Sequence, residues 1–271
     1  MARVMNLRDF NVESKTVLVR VDINSPLQPK SQEFLDDTRI RAIIPTLNLL
    51  TKSKVVILAH QSRPGKKDFT NTLGHSRELG RVLGRNVKWV EDIHGEKAMK
   101  AIESMEDGDI LMLNNVRMDP EEVSIKGNFE TMAETKIIQR LSSVVDIFVN
   151  DAFACAHRNT PSIVGFTHTL PCVAGELMKR EIDALDIALE NPNRPCIAVV
   201  GGIKVEDSIS IADNMLRKGI ADEIWATGGV ANLLIEYSGV DLGKVNHDFL
   251  VNELGDSYHK TVETAKAMLN D

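Results

Sequence analysis

The sequence lacks the features that mark membrane and secreted proteins. No uninterrupted apolar run approaches the roughly 18 residues that a membrane-spanning helix needs. The N-terminus, MARVMNLRDF, has no apolar signal region, so we expect a cytoplasmic protein that does not engage a membrane. The three cysteines, Cys155, Cys172 and Cys196, form no CxxC pair, and their odd number is typical of reduced thiols that serve as packing residues.

Positive charge and the common nucleotide-binding motifs are also scarce. With 32 Lys and Arg against 39 Asp and Glu, the net charge is −7. This balance argues against nucleic acid as a partner. Neither the P-loop pattern GxxxxGK[ST] nor the dinucleotide fingerprint GxGxxG occurs. No carboxylate cluster with ligand spacing is visible, so the sequence by itself predicts no metal site.

What the chain does have is a regular alternation of strand and helix patterns. Near-continuous apolar strands separated by helices indicate βαβ units and a parallel sheet covered on both faces. Pro45 should kink or split the first helix. The predicted strands are 15–21, 54–60, 86–90, 109–115 and 145–151, and the predicted helices are 36–53, 72–84, 94–105 and 129–143.

The rhythm changes at residues 171–195, where prolines bracket one long helix. Its apolar stripe runs Met178, Ile182, Leu185 and Leu189. Beyond Pro195 the strand and helix patterns alternate again. We therefore predict a first domain over 1–170, an interdomain helix over 171–195 and a second α/β domain over 196–271.

The ends of the predicted strands carry a repeated chemistry. In open parallel sheets, ligands bind outside the carboxyl ends of the strands. Arginine binds carboxylates and phosphates bidentately, so the pattern predicts a crevice for a small polyanion. The polar residues at these ends are Asp22 and Asn24, then His60 and Arg63, then Arg117, then His157 and Arg158, with Arg39 at the start of the first helix.

Each of these residues also has a structural interpretation. A lone surface arginine is usually a solvated charge, and His60 alone would more often be a hydrogen-bonded structural histidine. Asp22 and Asn24 could form an Asx-turn, and Asp151 could cap the following segment. Repetition at equivalent strand ends is what favours anion binding.

Two glycine pairs in the second half follow strands and precede helices. Gly201, Gly202 and Lys204 stand in VVGGIKVEDS, and Gly228 and Gly229 stand in ATGGVAN. Glycine lets the backbone approach a ligand, and a helix N-terminus favours phosphate. A tight turn and a solvated lysine remain the alternatives.

Together these stretches resemble a known family. VRVDINSP, DDTRIRAIIPTL, AHQSRP, NNVRM, NDAFACAHR, AGELMKREIDAL and GGIKVEDSI occur in the order and spacing of phosphoglycerate kinase. The resemblance implies two Rossmann-like three-layer αβα domains with parallel sheets, joined by a long helix. It also implies reversible phosphoryl transfer between ATP and 3-phosphoglycerate, giving ADP and 1,3-bisphosphoglycerate, with Mg²⁺, by a monomer or homodimer.

The resemblance implies a role for each matching residue. Arg39 and Lys204 would be catalytic, with Arg39 against the reacting carboxylate and Lys204 stabilising charge on the transferring group. Substrate would be bound by Asp22, Ile23, Asn24, Arg39, His60, Gln61, Ser62, Arg63, Arg117 and Arg158. Nucleotide would be bound by Gly201, Gly202, Lys204, Gly228 and Gly229, and no metal ligand is assigned.

Three departures from the family pattern stand out. Ile203 replaces an alanine and Ser208 replaces a lysine of the familiar bacterial and eukaryotic form, and the serine resembles the archaeal branch. The family's second domain also continues for well over a hundred residues beyond the position of Asp271. We therefore expect an incomplete second domain. The chain would be either a fragment of a kinase or a shortened, non-catalytic phosphoglycerate-binding homologue that lacks the nucleotide site.

Overall fold

The chain divides into two compact units, which we describe separately. The computed structural model describes residues 4–28, 30–125, 127–190 and 192–270. Unit 1 covers Met1–Ile182 and unit 2 covers Asp183–Asp271. None of the helices in these described ranges combines the length and apolar composition that a bilayer crossing needs.

Unit 1 is built on a six-stranded sheet in which every strand pair is parallel. The strand order β3-β4-β2-β1-β5-β6 places β1 at the centre. The α/β class with parallel sheets is therefore confirmed. The strands are β1 Thr16–Val21, β2 Lys54–Leu58, β3 Lys88–Trp89, β4 Ile110–Met112, β5 Ile147–Asp151 and β6 Cys172–Ala174.

Helices cover both faces of this sheet. Alternate residues of β1 enter two different core clusters, since Val17 and Val19 pack with the helices of one face and Leu18 packs with those of the other. This alternation follows from the two-residue period of a strand. The helices of unit 1 are α1 Thr38–Ala42, α2 Ile44–Leu49, α3 Leu73–Leu83, α4 Glu96–Glu103, α5 Pro120–Ser124, α6 Phe129–Ala133, α7 Lys136–Ser142 and α8 Pro161–Val164, with α9 Glu176–Glu190 crossing into unit 2.

Two predicted helices are divided. Pro45 occupies the first turn of α2, and the helical pattern over 36–53 splits at Ile43, as predicted from the proline. The pattern over 129–143 also splits, into α6 and α7, which the sequence analysis did not foresee. Thr135 adopts an extended conformation there, and its hydroxyl bonds the Met132 carbonyl oxygen at 2.7 Å.

Residues 172–174, predicted as part of the interdomain helix, instead form the edge strand β6. β6 pairs with β5, and the amide of Ala174 donates to the Met5 carbonyl oxygen at 2.8 Å. The helix α9 itself lies within the predicted segment. Of its predicted apolar stripe, Met178 is buried, whereas Leu185 and Leu189 are exposed.

In its described residues, unit 2 contains a two-stranded parallel sheet and, after the end of α9, four α-helices. The strands are β7 Ile197–Val200 and β8 Glu223–Ala226. Val199 and Trp225 lie on an exposed face of this sheet. The helix at 244–254 was not predicted from the sequence. The helices are α10 Val205–Arg217, α11 Gly228–Tyr237, α12 Lys244–Leu254 and α13 Tyr258–Asn270.

A buried carboxylate fastens the start of α9 to the sheet of unit 1. Asp151, at the end of β5, accepts a hydrogen bond from the Thr46 hydroxyl at 2.6 Å and from the Met178 amide at 3.1 Å. Burial raises the pKa of this carboxyl group, and these hydrogen bonds oppose the rise. Gly175 makes the contact possible, because a Cβ there would lie 2.3 Å from the Asp151 Oδ1.

We expect Gly175→Ala to destabilise unit 1 by about 1–3 kcal/mol, because the added methyl group must displace a buried, hydrogen-bonded carboxylate. The measurement is urea unfolding followed by Trp89 fluorescence in a Trp225→Phe background, since the chain has 2 tryptophans. Gly74→Ala is the matched control, because a Cβ there meets its nearest neighbour at an ordinary 3.8 Å. Equal stability of the two variants would contradict this account.

Candidate functional site

The carboxyl edge of the unit 1 sheet gathers the polar residues that the sequence analysis singled out. Asp22 and Asn24 follow β1, and His60 and Arg63 follow β2. Arg117 lies on a 3-10 turn, Val116–Met118, after β4. Parallel strands bring these chain segments to one edge, which is the reason that residues far apart in sequence meet.

Asp22 forms an Asx-turn and also pairs with Arg39. Its Oδ1 accepts a hydrogen bond from the Asn24 amide at 3.1 Å, which is an Asx-turn. Its Oδ2 accepts a hydrogen bond from the Arg39 guanidinium of helix α1. The carboxylate is buried, whereas Arg39 is half exposed, so the pair leaves part of the guanidinium open to solvent.

The loop after β2 is held in a backbone conformation that non-glycine residues seldom adopt. Ser62 has a φ of 55°. Three contacts fix it: its amide donates to Asn24 Oδ1 at 2.7 Å, its hydroxyl donates to Asp68 Oδ1 at 2.7 Å, and its carbonyl accepts from the Arg117 guanidinium. Strain held by surrounding bonds is typical of a functional loop.

A cavity of about 510 Å³ opens beside this loop. Three arginines line it, Arg63, Arg117 and Arg158, and the hydroxyl and amide groups of Ser62 and Asn24 lie among them. Burial and the neighbouring arginines lower the pKa of Arg117. A pocket of this size, lined by arginines and small polar groups, suits a small polyanion.

His60 lies at the centre of this positive region and is neutral. It is 2 % exposed, and burial, together with the charges of Arg20, Arg117, Arg158 and Arg39, lowers its pKa to about 2. His60 therefore contributes a neutral ring, and the positive charge of the site comes from the arginines.

Arg20 is a site residue that the sequence analysis missed. It is buried within β1, and its Nη2 lies 3.3 Å from the His60 Nδ1. An arginine inside a β-branched run, as in VLVRVD, was a usable signal, because a buried charge needs specific partners.

Three of the predicted residues have side chains that point away from the cavity or into solvent. Ile23 is fully buried, so a substrate contact there would have to come from its main chain. Gln61 is also buried, where its Nε2 donates to the Ser25 carbonyl oxygen at 3.0 Å and its Oε1 lies 2.9 Å from His75 Nε2. His157 is exposed.

Asp22, His60 and Cys155 bring three potential metal-ligating atoms within 4.8 Å of one another. The arginines around them make this a poor place for a cation, because like charges repel strongly at short range. Burial raises the pKa of the Cys155 thiol, which further disfavours the thiolate that a metal would need.

The two predicted glycine loops meet in unit 2. The amide of Gly229 donates to the Gly202 carbonyl oxygen at 3.2 Å, and a Cβ at Gly201 would lie 2.0 Å from Thr227 Oγ1. Gly202 and Gly228 have φ values of 107° and 57°, which favour glycine. Two helix N-termini, of α10 and α11, start from these loops.

Lys204 is the N-cap residue of α10 and is exposed. Ile203 is 67 % exposed, so its larger side chain does not fill the space between the loops. The arrangement offers backbone amides, helix N-termini and a cation, which are the groups that bind phosphates.

Comparisons with known proteins agree on one family. The family model described as phosphoglycerate kinase matches residues 7–271. A phosphoglycerate kinase of Methanobacterium bryantii is 47% identical over 265 residues, which cover 97% of this chain and 64% of the relative. One from Thermoplasma volcanium is 39% identical over 271 residues, covering 100% of this chain and 66% of the relative.

Solved structures of phosphoglycerate kinases also match this chain. The crystal structure of the phosphoglycerate kinase from Pyrococcus horikoshii OT3 superposes with a TM-score of 0.87 at 39% identity, covering 98% of this chain and 65% of that one. The enzyme from Coxiella burnetii gives a TM-score of 0.73 at 30% identity. The chain thus spans about 65% of the length of the relatives that it matches.

A histidine and a carboxylate fasten the segment that follows Arg117. His94 Nε2 contacts Asp119 Oδ2, while Asp119 Oδ1 accepts from the Glu121 amide at 2.7 Å and so caps α5. The hydrogen bond to Asp119 raises the pKa of His94, although partial burial opposes the rise. This pair holds helix α5, whose residues Glu122 and Val123 line the arginine cavity.

We expect the His94 contact to lose its stabilising effect as pH rises. A raised pKa in the folded state means that the contribution is fully present below the ordinary histidine value of about 6.5 and disappears as pH passes the raised value. The stability difference between wild type and His94→Ala should fall by on the order of 1 kcal/mol between pH 5.5 and pH 9. Trp89 fluorescence during urea unfolding measures it.

His157→Ala is the control for this experiment, because the His157 side chain is exposed. It should show no comparable change with pH. A His94→Ala difference that stays constant or grows with rising pH would contradict the assignment.

Proposed function

Because the chain belongs to the phosphoglycerate kinase family, we propose that the protein transfers a phosphoryl group reversibly between ATP and the carboxylate of 3-phosphoglycerate. The reverse reaction would use 1,3-bisphosphoglycerate and ADP. Unit 1 would bind the phosphoglycerate and unit 2 would bind the nucleotide.

The observation that carries this proposal is the arginine cavity of unit 1. Arg63, Arg117 and Arg158 converge on one cavity in a protein whose net charge is −7. A carboxylate and a phosphate on a three-carbon skeleton are the kind of ligand that such a cavity can neutralise bidentately at both ends. The polar side chains of Asn24 and Ser62 would then fix its orientation.

The open guanidinium edge of Arg39 supports a role at the reacting carboxylate. Asp22 orients Arg39 from one side, so the remaining N–H groups can face an anion. Phosphoryl transfer is catalysed mainly by positioning and by neutralising charge. The acceptor is already a carboxylate, so no side chain has to remove a proton from it.

The glycine loops of unit 2 fit a nucleotide phosphate. A side chain at Gly201 or Gly229 would fill the space between the loops, since a Cβ would meet a neighbouring atom at 2.0 or 2.8 Å. Lys204 would stabilise charge on the transferring group. Mg²⁺, when bound with the nucleotide, would neutralise its phosphates.

The direct test is phosphoryl transfer by this 271-residue chain from ATP to 3-phosphoglycerate with Mg²⁺, beside an Arg39→Ala variant. Turnover that the variant abolishes would mean that the residues present here suffice. Turnover that the variant leaves intact would contradict the role of Arg39. Binding of 3-phosphoglycerate without turnover would favour the non-catalytic homologue or a requirement for further chain.

We expect Arg117→Ala to weaken 3-phosphoglycerate binding by about 10- to 100-fold, because a charge-assisted hydrogen bond is worth about 1.5–3 kcal/mol. Isothermal titration calorimetry measures the dissociation constant. Arg140→Ala is the matched control, since Arg140 of helix α7 forms a surface ion pair with Glu96 of helix α4. Equal affinities of the two variants would exclude this cavity as the phosphoglycerate site.

A further inference from the structure

A buried carboxylate lines the same cavity as the arginines, where it would repel a bound anion. Glu122, on helix α5, lines the cavity together with Arg117 and Arg158 and is only 3 % exposed. Burying a carboxylate is costly unless it is paired and hydrogen-bonded. Its position beside an anion site therefore calls for a specific partner.

That partner is Ser162 of helix α8. Glu122 Oε1 accepts from the Ser162 hydroxyl at 2.8 Å, and Oε2 accepts from the Ser162 amide at 2.9 Å. Both carboxylate oxygens of Glu122 thus act as acceptors. The two residues are 40 positions apart in sequence, and Ser162 is fully buried.

The Ser162 hydroxyl links Glu122 to Arg20 through two hydrogen bonds. Since its proton is directed at Glu122, its oxygen is free to accept, and the Arg20 Nε donates to it at 3.0 Å. Arg20 also donates through Nη1 to the Val21 carbonyl oxygen. A buried guanidinium is thereby held by a carboxylate through one hydroxyl group.

Arg20 in turn decides which ring nitrogen of His60 carries the proton. Its Nη2 lies 3.3 Å from the His60 Nδ1. A guanidinium can only donate, so Nδ1 of the neutral ring accepts and the proton remains on Nε2. His60 is neutral because burial lowers its pKa to about 2. The ring then offers one fixed N–H donor.

We propose that Glu122 and Ser162 are positioning residues, which orient Arg20 so that it holds His60 as an Nε2–H donor for the bound phosphoglycerate. This inference rests on the proposed function, because it takes phosphoglycerate as the ligand of the site. A purely structural role, in which the pair only fastens α5 to α8, would leave the His60 ring unaffected.

The test uses Ser162→Ala in the full chain and reads two quantities. The first is the pair of ¹⁵N chemical shifts of the His60 ring, assigned by their absence in His60→Gln. The second is the dissociation constant for 3-phosphoglycerate from calorimetry. Ser76→Ala is the matched control, because Ser76 is another buried serine, and its hydroxyl donates to the Leu73 carbonyl oxygen of its own helix α3.

We expect Ser162→Ala to turn the single His60 tautomer into a mixture and to weaken binding about 10-fold, the loss of roughly one hydrogen bond to a charged group. Glu122→Gln keeps the shape but replaces one acceptor oxygen with a donor, so it should shift the His60 signals in the same direction. Thermal unfolding of both variants checks that they fold.

A His60 ring pattern that stays the same as in Ser76→Ala would overturn the proposal. A changed ring pattern with unchanged affinity would also overturn it, because the tautomer would then not serve binding. If wild type itself fails to bind 3-phosphoglycerate, the proposed function fails. The ¹⁵N shifts of the His60 ring then still show whether Glu122 and Ser162, acting through Arg20, control the His60 tautomer.

Discussion

The site in unit 1 depends on one constraint: several positively charged arginines must be held close together at the carboxyl edge of the sheet. Arg20 is buried and Arg117 is half-buried, and the positive charges of both lower the pKa of His60. Guanidinium groups in such a cluster repel one another, so each needs an acceptor that leaves part of it free. Arg117 uses the Ser62 carbonyl oxygen, and Arg39 uses the Asp22 carboxylate. These acceptors fix the strained Ser62 loop and the Asx-turn, and through them the shape of the cavity.

Much of the site was predictable from chain order alone. Parallel strands end at a common edge, so the residues after β1, β2 and β4 had to meet there, and Asn24, Ser62 and Arg117 do. The acceptors were not predictable in the same way. Glu122 and Ser162 come together only when α5 and α8 pack, and no local pattern relates two positions that are 40 residues apart. Tertiary contacts of this kind leave no periodic signal in a single sequence.

The remaining differences also have physical reasons. The strand β6 has only three residues and comes just before a long amphipathic helix. Its apolar residues were therefore predicted as part of that helix. The exposed Leu185 and Leu189 show that an apolar stripe predicts a helix without showing what covers it. In unit 2, the glycine loops were located from strand–Gly-Gly–helix patterns, but their mutual contact through Gly202 and Gly229 depends on the parallel pairing of β7 and β8.

The most direct test of the central idea, that strand-end arginines form a phosphoglycerate site, is a crystal structure of this chain with 3-phosphoglycerate. We expect the ligand to lie in the cavity of unit 1, with its phosphate against Arg63, Arg117 or Arg158 and its carboxylate toward Arg39. We also expect the His60 Nε2 to lie within hydrogen-bonding distance of a ligand oxygen. A ligand bound elsewhere, with this cavity filled only by solvent, would contradict the account.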